Sequence, residues 1–147
     1  MNLAWPTVLH VEDDMGDKEL LEHACKALQV KCNVHWVADG VAAIDYLSGV
    51  GAFADRELFP FPALMLLDLK MPRKTGFEVL EWLRQNPVLK WLPTIVFTAS
   101  DSNKDIQRAF ELGANSLIVK PTAYKDLLEC VKEINHYWFE RNRLPTQ

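Results

Sequence analysis

Five short apolar runs alternate with five amphipathic stretches along this 147-residue chain, and that alternation limits the fold more than any other feature. Thr7–Val11, Asn33–Val37, Leu64–Leu67, Thr94–Thr98 and Ser116–Val119 are too short for stable helices and rich in aliphatic and β-branched residues, so they read as strands. Helical periods lie between them. One starts at Asp17, with Leu20, Ala24 and Leu28 on one line and Leu21 and Cys25 beside it, and a second follows the Asp39-Gly40 turn with Ala43, Ile44 and Leu47. The third, Gly76–Gln85, turns Phe77, Leu80 and Leu83 inward. A fourth is capped by Asp101 or Ser102, places Ile106, Ala109 and Phe110 inward and closes at Gly113. The last runs from about Ala123 to Arg143 with Leu127, Val131, Ile134 and Trp138 at core spacing. All eight prolines fall between these elements or near the termini, as their missing N–H requires. A (βα)5 alternation with near-continuous apolar strands predicts an α/β protein with a parallel sheet covered by helices on both faces.

Composition narrows the partners. Hydrophobic content of 49% and charged content of 24% suit an ordinary globular domain, and a net charge of −4 argues against nucleic acid, whose binders carry a basic face. No run reaches the roughly 20 apolar residues of a membrane span, and residues 1–6 lack the features of a signal peptide, so a cytoplasmic protein is expected. Cys25, Cys32 and Cys130 have no CxxC spacing and His10, His23, His35 and His136 no metal-ligand spacing, which favours free thiols and core or surface histidines.

The chemistry collects at the strand ends. Leu64–Leu67 is a doubly buried strand that delivers one carboxylate, Asp68, before Pro72 prevents its continuation. The first strand ends in Glu12-Asp13-Asp14, the fourth in Thr98-Ala99-Ser100 and the fifth in Lys120-Pro121. In an open parallel sheet these ends line one crevice, so carboxylates, a hydroxyl and an amine converge there. Carboxylates a few ångströms apart raise each other's pKa, and a hard divalent cation relieves the repulsion; Mg2+ suits such an oxygen site and an incoming phosphate. Asp68 beside that cation is a nucleophile able to form an aspartyl phosphate, with Lys120 and Thr98 neutralising and hydrogen-bonding the phosphoryl oxygens.

With Glu12-Asp13, Asp68 followed by Pro72 and Gly76, Thr98-Ala99 and Lys120-Pro121 in this order, the chain resembles the receiver domain of two-component response regulators over nearly its whole length. The resemblance implies a flavodoxin-like sheet of order 2-1-3-4-5, Asp68 as acceptor of phosphate from a histidine kinase, Asp13 and Asp68 as Mg2+ ligands and Glu12 acting through a water. It further implies the Lys70 carbonyl as a ligand and a cis Lys120–Pro121 bond. Thr98 and Ala99 would belong to the switch, and Lys70 and Ser100 would tune the phosphate lifetime. Receivers usually carry an aromatic three residues before the lysine. Here that position is Leu117, which puts the usual threonine-to-aromatic relay in question.

The Phe-rich stretch before the third strand, the segment Asn86–Lys90 and the ending His136-Tyr137-Trp138-Phe139 are similar to stand-alone receivers that serve bacterial phytochrome kinases. One receiver unit over 1–147 is expected, with a core of about 6–135 and an extended last helix and tail over 136–147. Three adjacent aromatics cannot share one helix face, so at least one is expected exposed or in a subunit interface, which points to a homodimer. Three other readings are a dehalogenase-like phosphatase, a flavin-binding module of the same fold, whose first loop must cradle a phosphate that Glu12-Asp13-Asp14 would repel, and a phosphorylation-independent pseudo-receiver. The phosphatase needs a second Asp two residues after the nucleophile, where this chain has Lys70; the pseudo-receiver would lack an essential group, and none is missing.

Overall fold

A computed structural model describes residues 1–145. Strands β1 (Thr7–Val11), β2 (Asn33–Val37), β3 (Leu64–Leu67), β4 (Thr94–Thr98) and β5 (Ser116–Val119) have the bounds expected from their sequence. They form one parallel sheet in the order β2-β1-β3-β4-β5. The order reverses between β1 and β3, so the crevice lies at the C-terminal ends of those two strands.

Strand parity sorts the core into two layers. Leu9, Val11, Met65, Leu67 and Val96 face α2 (Gly40–Ser48), α3 (Gly76–Gln85) and α4 (Asn103–Glu111), where Ala43, Leu47, Phe77, Leu80, Leu83 and Ala109 close the layer. Val8, Leu64, Leu66, Ile95 and Phe97 face α1 (Met15–Ala27) and α5 (Tyr124–Ile134) through Leu21, Ala24, Leu127, Val131 and Ile134. Short right-handed crossovers from a sheet of this order leave the first and last helices on one face and the middle three on the other.

Three sequence expectations change. The buried stripe of α1 is Leu21-Ala24 with Cys25 and Leu28, the i, i+3, i+4, i+7 set, which turns Leu20 one position outward to 46% exposure. In α4 only Ala109 is fully enclosed, and Phe110 lies 48% exposed, one helical step past the inward line. The last helix leaves α geometry at Asn135 and continues as wider i→i+5 turns over Asn135–Arg141, so it ends before Arg143. Within it Tyr137 is exposed while Trp138 and Phe139 lean on the α1/α5 layer, which meets the expectation that three adjacent aromatics cannot all be buried. Of the tail expectation, residues 146–147 lie outside the described residues.

The Phe-rich connection is packed by its own side chains. Phe53 and Phe59 pack edge-on at 5.3 Å between centroids and both meet Tyr46. Arg56 fastens the loop by donating to the carbonyls of Tyr46 at 2.8 Å, Leu47 at 2.9 Å and Phe59 at 3.1 Å, which satisfies the C-terminal carbonyls of α2. Replacing it with Met keeps the stem and removes every donor. We expect Arg56→Met to lower the unfolding free energy by about 2 kcal/mol in a urea titration, because hydrogen bonds from a charged donor are involved; an unchanged midpoint would show the clip to be idle.

Candidate phosphoacceptor site

Glu12, Asp68 and Lys120 are each set by backbone pairing one residue beyond their strands. The Glu12 amide donates to Val37 O at 3.1 Å and its carbonyl accepts the Trp36 indole N–H at 2.8 Å, so the β1–β2 ladder carries on to the first acid. The Asp68 amide donates to Val11 O at 3.1 Å and extends the β1–β3 ladder in the same way. Asp14 caps α1 by accepting from the Asp17 amide at 2.9 Å, which turns the chain immediately after Asp13. Gly76 is required on steric grounds, since a Cβ there would lie 2.1 Å from the Asp68 carbonyl oxygen. This lets the capped start of α3 sit against the acceptor loop, with the Gly76 amide bonded to Leu69 O at 3.0 Å.

Glu12 and Asp68 are buried and Asp13 is exposed beside them. One carboxylate oxygen from each falls within a mutual 4.8 Å, a spacing that a single hard cation can bridge. The Lys120 ammonium enters from β5. It pairs with Glu12 Oε1, with Asp17 Oδ2 at 2.8 Å and with Asp68 Oδ2 at 3.4 Å. Glu12 Oε2 accepts from the Asp14 amide at 3.2 Å. Thr98, wholly buried at the end of β4, accepts the Ser100 amide on Oγ1 at 3.3 Å, and its carbonyl accepts the Lys120 amide at 2.7 Å.

The electrostatics follow from burial. Removal from water pushes the Glu12 carboxyl up to about 7, a rise that hydrogen bonds from Lys120 and the Asp14 amide oppose without cancelling and that Asp68 reinforces. Burial alone would lower Lys120, but its bonds to Asp17 and Glu12 and the charge of Asp68 raise it above the ordinary lysine value. Three carboxylates that each bring an oxygen within a mutual 4.8 Å, beside a buried ammonium, form an all-oxygen donor set, so the residues present fit Mg2+.

Most of the residues singled out in the sequence therefore meet. Glu12, Asp13, Asp68, Thr98 and Lys120 share the crevice, Lys70 and Ser100 sit on its rim, and Ala99 is exposed in the following loop. Leu117 pairs with Val96, two residues before Thr98, and packs half-buried on the α2/α3/α4 layer, so no ring follows the threonine inward. The Lys120–Pro121 bond is not cis: among the described residues all peptide bonds are trans. The Lys120 amide continues the β4–β5 ladder, and the chain enters α5 in the form an X–Pro bond intrinsically prefers.

Asp17 and Asp105 are additional members. Asp17 read only as a helix start; its position three residues after the cap, on the turn facing β5, was the available signal. Asp105 holds both rim groups, accepting from Ser100 Oγ at 2.7 Å and pairing with Lys70 Nζ at 3.2 Å. Nothing in the sequence ties it to either.

Residues 8–132 match the family model of the response regulator receiver domain. The chain belongs to that family. Among curated receivers, response regulator Rcp1 of Synechocystis is 36% identical over 94% of this chain and 92% of its own length. The crystal structure of response regulator RPA3017, from red light signaling in R. palustris, superposes with a TM-score of 0.92 at 37% identity, covering 97% of this chain and 99% of that one. The phosphorylated cyanobacterial phytochrome response regulator RcpA gives 0.89 at 33% identity, covering 97% and 99%. This receiver thus matches stand-alone response regulators, one of them a phytochrome response regulator, over 94–97% of its length and works in a two-component phosphorelay.

Proposed function

We propose that this receiver, acting as one unit over 1–147, accepts a phosphoryl group on Asp68 from the phosphohistidine of a sensor kinase and signals through its surface. The observation that carries the reading is the single ammonium of Lys120 shared among Glu12, Asp17 and Asp68 at the mouth of the sheet. An Asp68 carboxylate oxygen attacks phosphorus, the O–P bond forms as the N–P bond breaks, and the imidazole nitrogen keeps the electron pair and takes a proton. Lys120 moves from its carboxylate partners to a phosphoryl oxygen and the Thr98 hydroxyl donates to another, so charge that builds on the group meets positioned donors.

Asp13 and Asp68, with the Lys70 carbonyl, would hold Mg2+, and Glu12 would act through water. When bound, the cation neutralises phosphoryl charge and the repulsion within the acid cluster. The structure of Rcp1 is a Mn2+-bound form, which supports an acidic divalent site in this family. Labelling by a small phosphodonor such as phosphoramidate, read by intact mass, should need Mg2+ and vanish with chelator; labelling indifferent to chelator would remove the cation from the reading.

The product is a phosphoprotein and the chain a phosphoacceptor rather than a turnover enzyme, since Lys70 stands where a phosphatase of the aspartate-nucleophile class needs its acid/base. The kinase partner is a bacterial phytochrome by likeness to the phytochrome regulators above. Met15, Leu20 and Tyr124, exposed on α1 and at the start of α5, offer apolar contacts for it.

The output includes a homodimer built on the last helical segment, where Tyr137 is exposed at 55% and stacks edge-on with Trp138 at 5.3 Å between centroids. Light scattering should give twice the monomer mass with Mg2+ and beryllofluoride, and Tyr137→Glu should reduce it to the monomer. A monomer in the unsubstituted protein with Mg2+ and beryllofluoride and without them would exclude this output.

A further inference from the structure

Two helices of this receiver begin with the same sequence logic and use it differently. In α3 the N-cap Thr75 accepts from the Glu78 amide and Glu78 returns its carboxylate to the Thr75 amide at 3.3 Å, a complete capping box. In α4 Ser102 accepts from the Asp105 amide at 3.3 Å, but the Asp105 carboxylate does not return to Ser102. One oxygen, Oδ2, instead takes the Ser100 hydroxyl at 2.7 Å and the Lys70 ammonium at 3.2 Å, and these two partners hold the carboxyl below the usual range. The acid has left a favourable local role for a hydroxyl of the preceding loop and an ammonium from the loop after β3.

Those groups are the rim of the phosphoryl position. The Lys70 amide lies 3.5 Å from Asp68 Oδ1, and its four-carbon stem could carry the ammonium to a group on Asp68. Ser100 is tied to the same place through its amide on Thr98 Oγ1. Lys70 is drawn the other way, toward α4, with its ammonium 5.9 Å from the Phe77 ring centre. Arg108 stacks on the same ring at 4.2 Å, so a second α4 side chain backs this arrangement.

We propose that Asp105 is a positioning residue for the chemistry at Asp68: braced by the Ser100 hydroxyl, it holds the Lys70 ammonium away from the phosphoryl oxygens and keeps the aspartyl phosphate short-lived. This rests on Asp68 being the acceptor. In the loss of phosphate, water oxygen attacks phosphorus, the P–O bond to Asp68 breaks, the carboxylate leaves with the electron pair and orthophosphate forms. A free ammonium paired to the phosphoryl oxygens would stabilise the ground state and cover the approach of water; Asp105 prevents that pairing.

The lifetimes of four proteins test this: unsubstituted, Asp105→Asn, Lys70→Met and the double variant, each labelled with phosphoramidate and Mg2+, freed of donor and followed by intact mass. Asp105→Asn should lengthen the lifetime about two- to fivefold, the range an exposed ion pair supplies. Lys70→Met alone supplies the reference lifetime of a chain that lacks the ammonium and keeps the backbone carbonyl. The double variant should then return to the Lys70→Met value, a dependence on Lys70 that a merely structural role for Asp105 would not produce. Equal lifetimes in all four, or the same lengthening with and without Lys70, would overturn the role of Asp105 while leaving Asp68 as acceptor. Absence of labelling in the unsubstituted protein would defeat both. Asp105→Glu supplies a second variant that retains the carboxylate, and it should keep the short lifetime; a lifetime as long as that of Asp105→Asn would also count against the role.

Discussion

Asp68→Asn should take up no phosphoryl group from phosphoramidate and Mg2+, whereas the unsubstituted chain should gain one acid-labile group. The amide keeps the volume of the side chain and its place at the end of β3, where the backbone is held by Val11 O on one side and by the Gly76 approach on the other. What is lost is the nucleophile, since an amide oxygen has neither the charge nor the basicity to displace the donor's nitrogen. The loss should be complete rather than partial, because Glu12 is paired with Lys120 and Asp13 sits outside the buried wall. Removing one charge from the acid cluster also relieves repulsion, so the unfolding midpoint should hold or rise. A stoichiometric acid-labile phosphate on the folded variant would show that another residue is the acceptor.

The second large effect is a pair of opposed pH dependences that nearly hide each other. His10 lies in the middle of β1, 2% exposed, and among the described residues neither ring nitrogen has a hydrogen-bond partner. Burial, with Lys120 and Lys18 nearby, lowers its pKa from 6.5 to about 3. Between these values the unfolded chain binds a proton that the native protein refuses, so this contribution is intact above pH 6.5 and is lost as pH falls toward 3, on the order of 3–5 kcal/mol in all. Glu12 acts in the opposite sense. Its native value of about 7 stands above the ordinary 4.5, so its contribution is intact below pH 4.5 and is lost as pH rises through 7, on the order of 3 kcal/mol.

From pH 4.5 to 6.5 the two slopes cancel. His10→Leu should therefore uncover a stability that falls from pH 4.5 to 7, and Glu12→Gln one that rises from pH 3 to 6.5. Urea midpoints in chelator-treated buffer, expressed as differences from the unsubstituted protein, would measure both; difference curves flat across the whole range would refute the assignment. A group that costs stability when ionised and lines the acceptor crevice is the usual exchange of stability for function.

Much of this receiver is legible in its residues. The five strands are recognisable because each is a short apolar run bounded by Pro, Gly or acidic residues, and a doubly buried parallel strand tolerates little else. Asp68, Glu12-Asp13, Thr98 and Lys120 stand out because each ends such a run, where a charge or hydroxyl has no reason to be unless the crevice uses it. Helix faces are less legible. Leu20 and Phe110 match an apolar period by identity, yet the phase of α1 and α4 is set by which side chains meet the sheet, and both lie one step outside that contact.

What the chain determined by itself is the alternation, hence the parallel sheet, and the ordering of chemically active residues at strand ends, because both depend on local pattern and on the chain direction common to all five strands. Only the tertiary structure decided the partnerships across it. Lys120 bonds Asp17 from 103 positions away, Asp105 gathers Lys70 and Ser100, and His10 is enclosed with no partner for its ring among the described residues. Such contacts depend on how helices dock on a twisted sheet and on the burial that follows, quantities that residue spacing along the chain does not contain.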